Sequence, residues 1–360
     1  MSATPPTPEP PPTSVEDPTV STHEQTRRLR GGIISLSVLV VLVIALLLAV
    51  PGLHGVLHRL GHMNAGRVAI AVGLEVLSCW GYVLAFMLVF DRAPLRFAAR
   101  LAWTEMAFGA AVALGGVGSI GIGAWVLKQR GAPAARIAER SAVLFLLTSG
   151  VNVIVLAVFG LGAGLGIFSG PSNPLLTYLP GAIGLLVFLF FLALPRAMDG
   201  PASNRRPGRL TTVLTGISTT LRATIRTLLT PDWRLLGAVG YLMFDIATLW
   251  VCVAAAGHAP QFAAVVLAYQ IGYLVNIIPV PGGIGILDGS LIAMLTLYGV
   301  NATSAAAGEV VYHAVALWIP STVGTIAFVR LSRNAKQPLR LRPPKAERRR
   351  ARAERRDRER

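Results

Sequence analysis

Long apolar stretches constrain the fold of this chain more than any other feature. Each approaches or reaches the roughly 20 residues that a membrane-spanning helix needs. The seven stretches cover residues 33–50, 68–90, 141–160, 178–194, 235–256, 261–278 and 307–329. Only 14% of the 360 residues are charged, and a helix that is apolar on every side belongs in a large core or a membrane. The sequence therefore predicts an all-α polytopic membrane protein.

Glycine and proline interrupt this apolar sequence twice, at residues 115–123 and 279–290. A helix breaks inside a membrane only where the freed backbone groups are buried in protein or line a wet cavity. We therefore expect about eight transmembrane helices plus two glycine-rich broken or re-entrant hairpins, which gives 8–10 spans. Loop charges favour opposite orientations for the two hairpins, as in an inverted repeat. The hairpin backbone residues are Gly115, Gly116, Gly118, Pro281, Gly282, Gly283 and Gly285.

Basic residues predict the topology, because cytoplasmic loops collect Lys and Arg. Residues 1–30 are rich in Pro and Thr and are predicted to be a disordered cytoplasmic N-terminus. The transmembrane domain is predicted over 31–329, with a cytoplasmic Arg-rich loop at 195–234. Residues 330–360 carry fourteen Lys or Arg against four acids, which predicts a disordered cytoplasmic tail attracted to anionic lipid. This tail has no aromatic residue for base stacking, so no nucleic-acid partner is expected.

Carboxylates within or beside apolar segments are the candidate functional residues, because each costs a few kcal/mol at the bilayer centre unless it is paired or wetted. They are Glu75, Glu105, Asp245, Asp288 and Glu309. We predict one polar cavity, for a lipid head group or a coupling proton, lined by Asn276, Asp288, Glu309 and His313, with Tyr273 facing the same helix side as Asn276. The alternative is a purely structural Glu309–His313 pair, since a spacing of four places both on one helix face.

No cofactor or metal is expected from the sequence. The two cysteines, Cys79 and Cys252, fall in separate apolar spans and form no CxxC pair. His54, His58 and His62 recur at helical spacing and could bind a metal, but a solvated loop face is the favoured interpretation.

The second hairpin and the segment after it also carry a family resemblance. Residues 281–288 (PGGIGILD), 297–300 (LYGV), Tyr312-His313, 318–320 (WIP) and Gly324 resemble the signature of the lysylphosphatidylglycerol synthase transmembrane region, also described as a flippase-like domain. Asp288 stands where that family commonly has Glu, and His313 where it commonly has Arg. Full-length synthases add a soluble aminoacyltransferase domain. This chain resembles only the membrane half, so synthase activity is not expected of it alone.

The resemblance and the polar residues together predict a function in lipid handling. We expect a multi-pass plasma-membrane protein that translocates or presents a phospholipid or polyprenyl-linked glycan, without enzymatic activity of its own. One alternative is a membrane subunit that hands lipid to a separate transferase or glycosyltransferase. The other is a lipid-modifying enzyme in which Glu309 and His313 act as acid and base.

Overall fold

The computed structural model describes residues 54–91, 93–111, 116–171, 173–197, 209–230, 232–274 and 286–333. Those residues form eleven helices, without a strand among them. The helices are α1 (His54–Gly61), α2 (Ala65–Val89), α3 (Leu95–Ala111), α4 (Gly116–Gln129), α5 (Ala134–Gly164), α6 (Pro174–Ala197), α7 (Arg209–Leu229), α8 (Leu235–Ala256), α9 (Phe262–Gly272), α10 (Ile286–Leu297) and α11 (Ala302–Arg333). The predicted all-helical class is confirmed.

Five of these helices, α2, α5, α6, α8 and α11, are long and apolar enough to cross a membrane. Helices α9 and α10 are apolar but shorter, and they flank the second glycine-rich stretch. The chain is therefore a polytopic helical membrane protein. The predicted first span, residues 33–50, and the predicted disordered N-terminus, 1–30, lie outside the described residues. The predicted disordered tail, 330–360, was wrong at its start, because residues 330–333 form the last turn of α11, and the rest of it lies outside the described residues.

Side-chain caps define the beginning of two of the long helices. The side-chain oxygen of Asn64 accepts a hydrogen bond from the Arg67 N–H (3.1 Å) at the start of α2. The Asn301 side-chain oxygen likewise accepts from the N–H groups of Thr303 (3.1 Å) and Ser304 (3.3 Å) at the start of α11. Both asparagines satisfy N–H groups that a helix terminus leaves without an intrahelical partner.

The first glycine-rich stretch differs from its prediction as a turn. Helix α4 begins at Gly116, so the glycines from Gly116 to Gly123 are helical and any break precedes them. Isolated glycine disfavours a helix by about 1 kcal/mol relative to alanine, but close packing with neighbouring helices offsets this preference in membranes. Gly116 and Gly118 therefore lie in the first turn of α4, whereas Gly115 lies outside the described residues.

The second stretch differs in where its helices begin and end. The apolar run 261–278 predicted one span, yet α9 ends at Gly272. Residues 275–285, which include Asn276, Pro281, Gly282, Gly283 and Gly285, lie outside the described residues. Helix α10 then begins at Ile286 and carries Asp288 in its first turn. Hydropathy alone did not reveal this boundary, because the residues beyond Gly272 are as apolar as those before it.

The loop predicted at 195–234 contains a helix. Its residues 209–229 form α7, which alternates Thr and Arg with Leu, Val and Ile. It packs against α5 and α6. An amphipathic helix of this kind has one apolar side for packing and one polar side for water or lipid head groups.

Glycines allow the central helices to pack backbone to backbone. A Cβ atom on Gly81 of α2 would lie 2.5 Å from the Tyr241 backbone nitrogen and 2.8 Å from the Gly237 carbonyl oxygen, both on α8. A Cβ on Gly308 of α11 would lie 2.6 Å from the Val253 Cα of α8. Small residues permit such close approach in membrane helix pairs, and they bring the polar residues of α2, α8 and α11 within reach of one another.

Arginines from the Arg-rich loop at 195–234 and from residues 130–140 contact the C-terminal ends of two long helices. Arg140 and Arg234 donate to the carbonyl oxygens of Val89 (3.0 Å) and Met87 (2.6 Å) at the end of α2. Arg130 donates to the Leu331 carbonyl oxygen at the end of α11 (3.2 Å), and burial lowers the pKa of Arg130. Cations at helix C-termini complement the helix dipole. These arginines therefore bind the C-terminal ends of α2 and α11.

Candidate functional site: a carboxylate-lined cavity

A cavity of about 350 Å³ lies between the helices. All five carboxylates that the sequence singled out line it, and each comes from a different helix. They are Glu75 (α2), Glu105 (α3), Asp245 (α8), Asp288 (α10) and Glu309 (α11). Among the lining residues that the structure describes there is no Lys or Arg. The cavity is therefore acidic in composition, and His313 is the one imidazole among these lining residues.

Asp288, Glu309 and His313 form a compact cluster on one side of the cavity. His313 Nδ1 lies 2.8 Å from Asp288 Oδ1 and forms a hydrogen bond with it. One side-chain nitrogen or oxygen from each of the three residues lies within 4.8 Å of the others. Glu309 is only 2% exposed, and its Oε2 atom has no hydrogen-bond partner within the described part of the chain. This oxygen is buried, and the Glu309 carboxyl group lies against that of Asp288.

Tyrosines hold a second carboxylate, Asp245. The Tyr269 hydroxyl donates a hydrogen bond to Asp245 Oδ2. The Tyr312 hydroxyl donates a second one to Asp245 Oδ1 over 2.9 Å. The Tyr273 hydroxyl lies 3.1 Å from the Tyr312 hydroxyl, and the Tyr269 and Tyr273 rings stack with centroids 4.3 Å apart. The network fixes Asp245 in place and leaves Tyr273 facing the cavity.

Glu75 lies beside Asp245 in the same wall of the cavity. Its Oε1 atom accepts a hydrogen bond from the Cys79 thiol, with sulfur and oxygen 3.6 Å apart. Its Oε2 atom is buried and, over the residues that the structure describes, lacks a hydrogen-bond partner. Glu75 and Glu309 thus each have one buried carboxylate oxygen without a hydrogen bond in the described part of the chain. Each carboxyl group also lies against a second one, that of Asp245 and of Asp288 respectively.

Glu105 occupies a narrow space between α3 and α4. Its Oε2 atom accepts a hydrogen bond from the Tyr82 hydroxyl (3.0 Å). A Cβ atom on Gly123 of α4 would lie 2.7 Å from the Glu105 Cδ atom and closer still to Oε1. Glycine at 123 therefore makes room for this carboxylate.

Asp288, Glu309 and His313 line this cavity as predicted, with one change of pairing, whereas Gly116 and Gly118 are not among its lining residues. His313 bonds to Asp288 of α10, although the spacing of four residues on α11 predicted contact with Glu309. Tyr273 also lines the cavity, while Asn276 and most of the hairpin glycines lie outside the described residues. Sequence reasoning missed Tyr82, Tyr241 and Tyr312, all in the cavity wall. Helical spacing could have indicated Tyr241, since it precedes Asp245 by four residues and so lies on the same side of the helix.

The histidines of the first loop are remote from the cavity wall. His58 of α1 and His62, the residue after its end, stack with ring centroids 4.3 Å apart. His62 Nδ1 lies 2.8 Å from the His58 carbonyl oxygen. The side chain of His54 is outside the described part. Both described histidines are exposed, which agrees with a solvated face.

Comparison with known proteins places the chain in a family. The sequence profile of the lysylphosphatidylglycerol synthase transmembrane region matches residues 33–324. A UPF0104 membrane protein from Methanothermobacter thermautotrophicus is 28% identical over 93 residues, which are 26% of this chain and 26% of that protein. The present chain thus matches about a quarter of that relative's length. Because the family profile spans most of the sequence, the chain belongs to the lysylphosphatidylglycerol synthase transmembrane-region family.

Proposed function

We propose that this protein moves a lipid across the bilayer by passing the head group through the carboxylate-lined cavity. One observation carries the proposal: five carboxylates from five different helices share one cavity inside an otherwise apolar helix assembly. Ionisable groups within a membrane are costly, and they mark paths for polar or charged cargo. The cavity volume of about 350 Å³ is in the range that binds small polar molecules, and is suited to a head group.

The Glu75 and Glu309 oxygens without a hydrogen bond in the described residues support a ligand role. A buried polar atom without a partner costs about 1–3 kcal/mol. A head group that donates hydrogen bonds to these oxygens would remove that cost. By contrast, Asp245 already accepts from two tyrosines, so it is better suited to shaping the cavity than to binding cargo.

The glycine-rich stretches also support transport. Ser119 in the first turn of α4 and Asp288 in the first turn of α10 both line the cavity. Ser119 lies within the first stretch (115–123) and Asp288 within the second (279–290). Interrupted helices that meet at a polar site are typical of secondary transporters, in which rocking around that site gives alternating access. The plasma membrane is the membrane in which we expect this transport.

The test is leaflet-resolved lipid movement in proteoliposomes of native lipid extract, with fluorescent phospholipid tracers bleached from outside by dithionite. A transmembrane pH gradient is imposed in half of the samples. We expect wild-type protein to expose inner-leaflet tracer. Asp288→Asn and Glu309→Gln should slow this by about ten-fold or more, because a charged hydrogen bond contributes roughly 1.5–3 kcal/mol and 1.36 kcal/mol of barrier is a factor of ten.

Glu139→Gln is the matched control, since Glu139 is an exposed residue of α5 outside the cavity wall, and it should transport like wild type. Equal rates in all four proteins would contradict the proposal. Folded protein that moves no tracer would favour a subunit that presents lipid to a separate transferase. Tracer recovered in a chemically altered form would favour a lipid-modifying enzyme, with Asp288 and His313 as the acid–base pair.

A further inference from the structure

We propose that Asp288, Glu309 and His313 bind one divalent metal ion at the edge of the cavity. The three side chains offer two carboxylates and one imidazole, with a ligand atom from each within 4.8 Å of the others. Proximity of acids alone would not define a site. The second observation is Glu309 itself, which is 2% exposed, lines the cavity and has an Oε2 atom without a hydrogen-bond partner in the described residues.

The spacing within the cluster suits a common ion. Ligand atoms about 2.0–2.2 Å from one metal are roughly 3.0–3.5 Å from each other at right or tetrahedral angles. His313 Nδ1 and Asp288 Oδ1 are already 2.8 Å apart, so only a small separation is needed to admit an ion between them. Glu309 and His313 lie one helical turn apart on α11 and approach from the same side.

The ligand set indicates which ions fit. Imidazole suits Zn²⁺, Cu²⁺, iron and Ni²⁺, whereas carboxylates suit Mn²⁺, Mg²⁺ and Ca²⁺. A set of one imidazole and two carboxylates therefore fits Zn²⁺ first and Mn²⁺ second. Three protein ligands leave at least one coordination position for water or a phosphate oxygen, as in metal sites that bind substrate. That position would face the cavity, because all three residues belong to its wall.

Such an ion would also resolve an electrostatic conflict. A lipid phosphate is an anion, and the cavity wall presents five carboxylates without a Lys or Arg among its described residues. A divalent cation would supply the missing positive charge and bind the phosphate directly. This consequence rests on the proposed function, whereas metal binding itself does not. The experiment below therefore measures binding in detergent, without any lipid movement.

The test uses the full chain, purified with a tag free of histidine and stripped of metal. His54, His58 and His62 are replaced by asparagine to remove the exposed loop histidines as a competing site. Calorimetric titration with Zn²⁺ and with Mn²⁺, together with Mn²⁺ electron paramagnetic resonance, then reports stoichiometry and affinity. We expect one ion per chain for at least one metal, and a melting temperature that rises to a plateau as the site fills.

Three single variants are then made in that background: Asp288→Asn, Glu309→Gln and His313→Gln. Each should weaken metal binding by about a hundred-fold or more, since even groups that only orient a metal ligand contribute 10–100-fold to affinity. Glu139→Gln should bind like the parent. Parent protein that binds neither metal stoichiometrically would overturn the proposal, and this result needs no cluster variant to fold. Binding that persists unchanged in all three cluster variants would overturn it as well.

Discussion

Replacing Gly81 by leucine is expected to abolish the accumulation of folded protein. A single Cβ atom at this position would lie 2.5 Å from the Tyr241 backbone nitrogen, and backbone atoms of a packed helix cannot move aside individually. Leucine adds three further carbon atoms, so α2 and α8 must separate along their whole contact. Overpacking by one or two methylenes already costs about 1–3 kcal/mol, against a total stability of roughly 5–15 kcal/mol. The measurement is the yield of monodisperse protein by fluorescence-detected size exclusion.

Gly73→Leu is the matched control for this variant, with the same substitution on the same helix. Gly73 is exposed, and a Cβ atom there would meet no atom within 4 Å. We expect this variant to give the wild-type yield, because leucine at a lipid-facing position is compatible with the membrane. A wild-type elution profile for Gly81→Leu would contradict the close packing of α2 and α8.

Replacing Gly123 by leucine is expected to preserve the fold and to eliminate most lipid movement. The added side chain would displace the carboxylate of Glu105 and break its hydrogen bond from Tyr82. Because the obstructing atoms belong to a flexible side chain, the helices themselves can remain in place. Glu105 lines the cavity, so leucine and the displaced carboxylate together narrow it. We expect the tracer assay to show a rate at least about ten-fold lower, equivalent to at least about 1.4 kcal/mol of barrier.

Gly121→Leu provides the control on the same helix, two residues earlier. Gly121 is exposed, and its Cβ atom would meet nothing within 4 Å. This variant should transport at the wild-type rate. If Gly123→Leu were folded and equally active, Glu105 and its surroundings could not belong to the path of the head group.

Hydropathy predicted the long helices because the insertion of a helix into lipid depends on its overall apolar composition more than on the order of its residues. The runs 68–90, 141–160, 178–194, 235–256 and 307–329 correspond to the five candidate spans. The beginning of α4 and the end of α9 were not predictable in this way. Glycine permits a helix or a break, and the choice depends on which neighbours pack against it. Likewise, the Thr and Arg residues of α7 are typical of a loop. The helix is stabilised only when its apolar side is buried against α5 and α6, which the sequence does not indicate.

Intramembrane charge identified the carboxylates of the site but not their arrangement. Each of the five is conspicuous in apolar sequence, yet bringing Glu75 next to Asp245 requires the pairing of α2 with α8. Sequence spacing also favoured Glu309 as the partner of His313, because only local contacts can be inferred from one helix. The observed partner, Asp288, is 25 residues away on α10. Such long-range pairs depend on how helices pack, which a single sequence does not specify.

Capture of lipid at the cavity wall tests the central proposal most directly. The photoreactive amino acid p-benzoylphenylalanine is placed at position 106, in the wall of the cavity, or at position 326, where Ile326 is 55% exposed on the outer side of α11. After illumination in native membranes, mass spectrometry identifies any lipid joined to the protein. We predict lipid adducts at both positions, with only the adduct at 106 lost when Glu309→Gln is introduced. Adducts at 326 alone, or adducts at 106 that do not depend on Glu309, would contradict passage of a head group through this cavity.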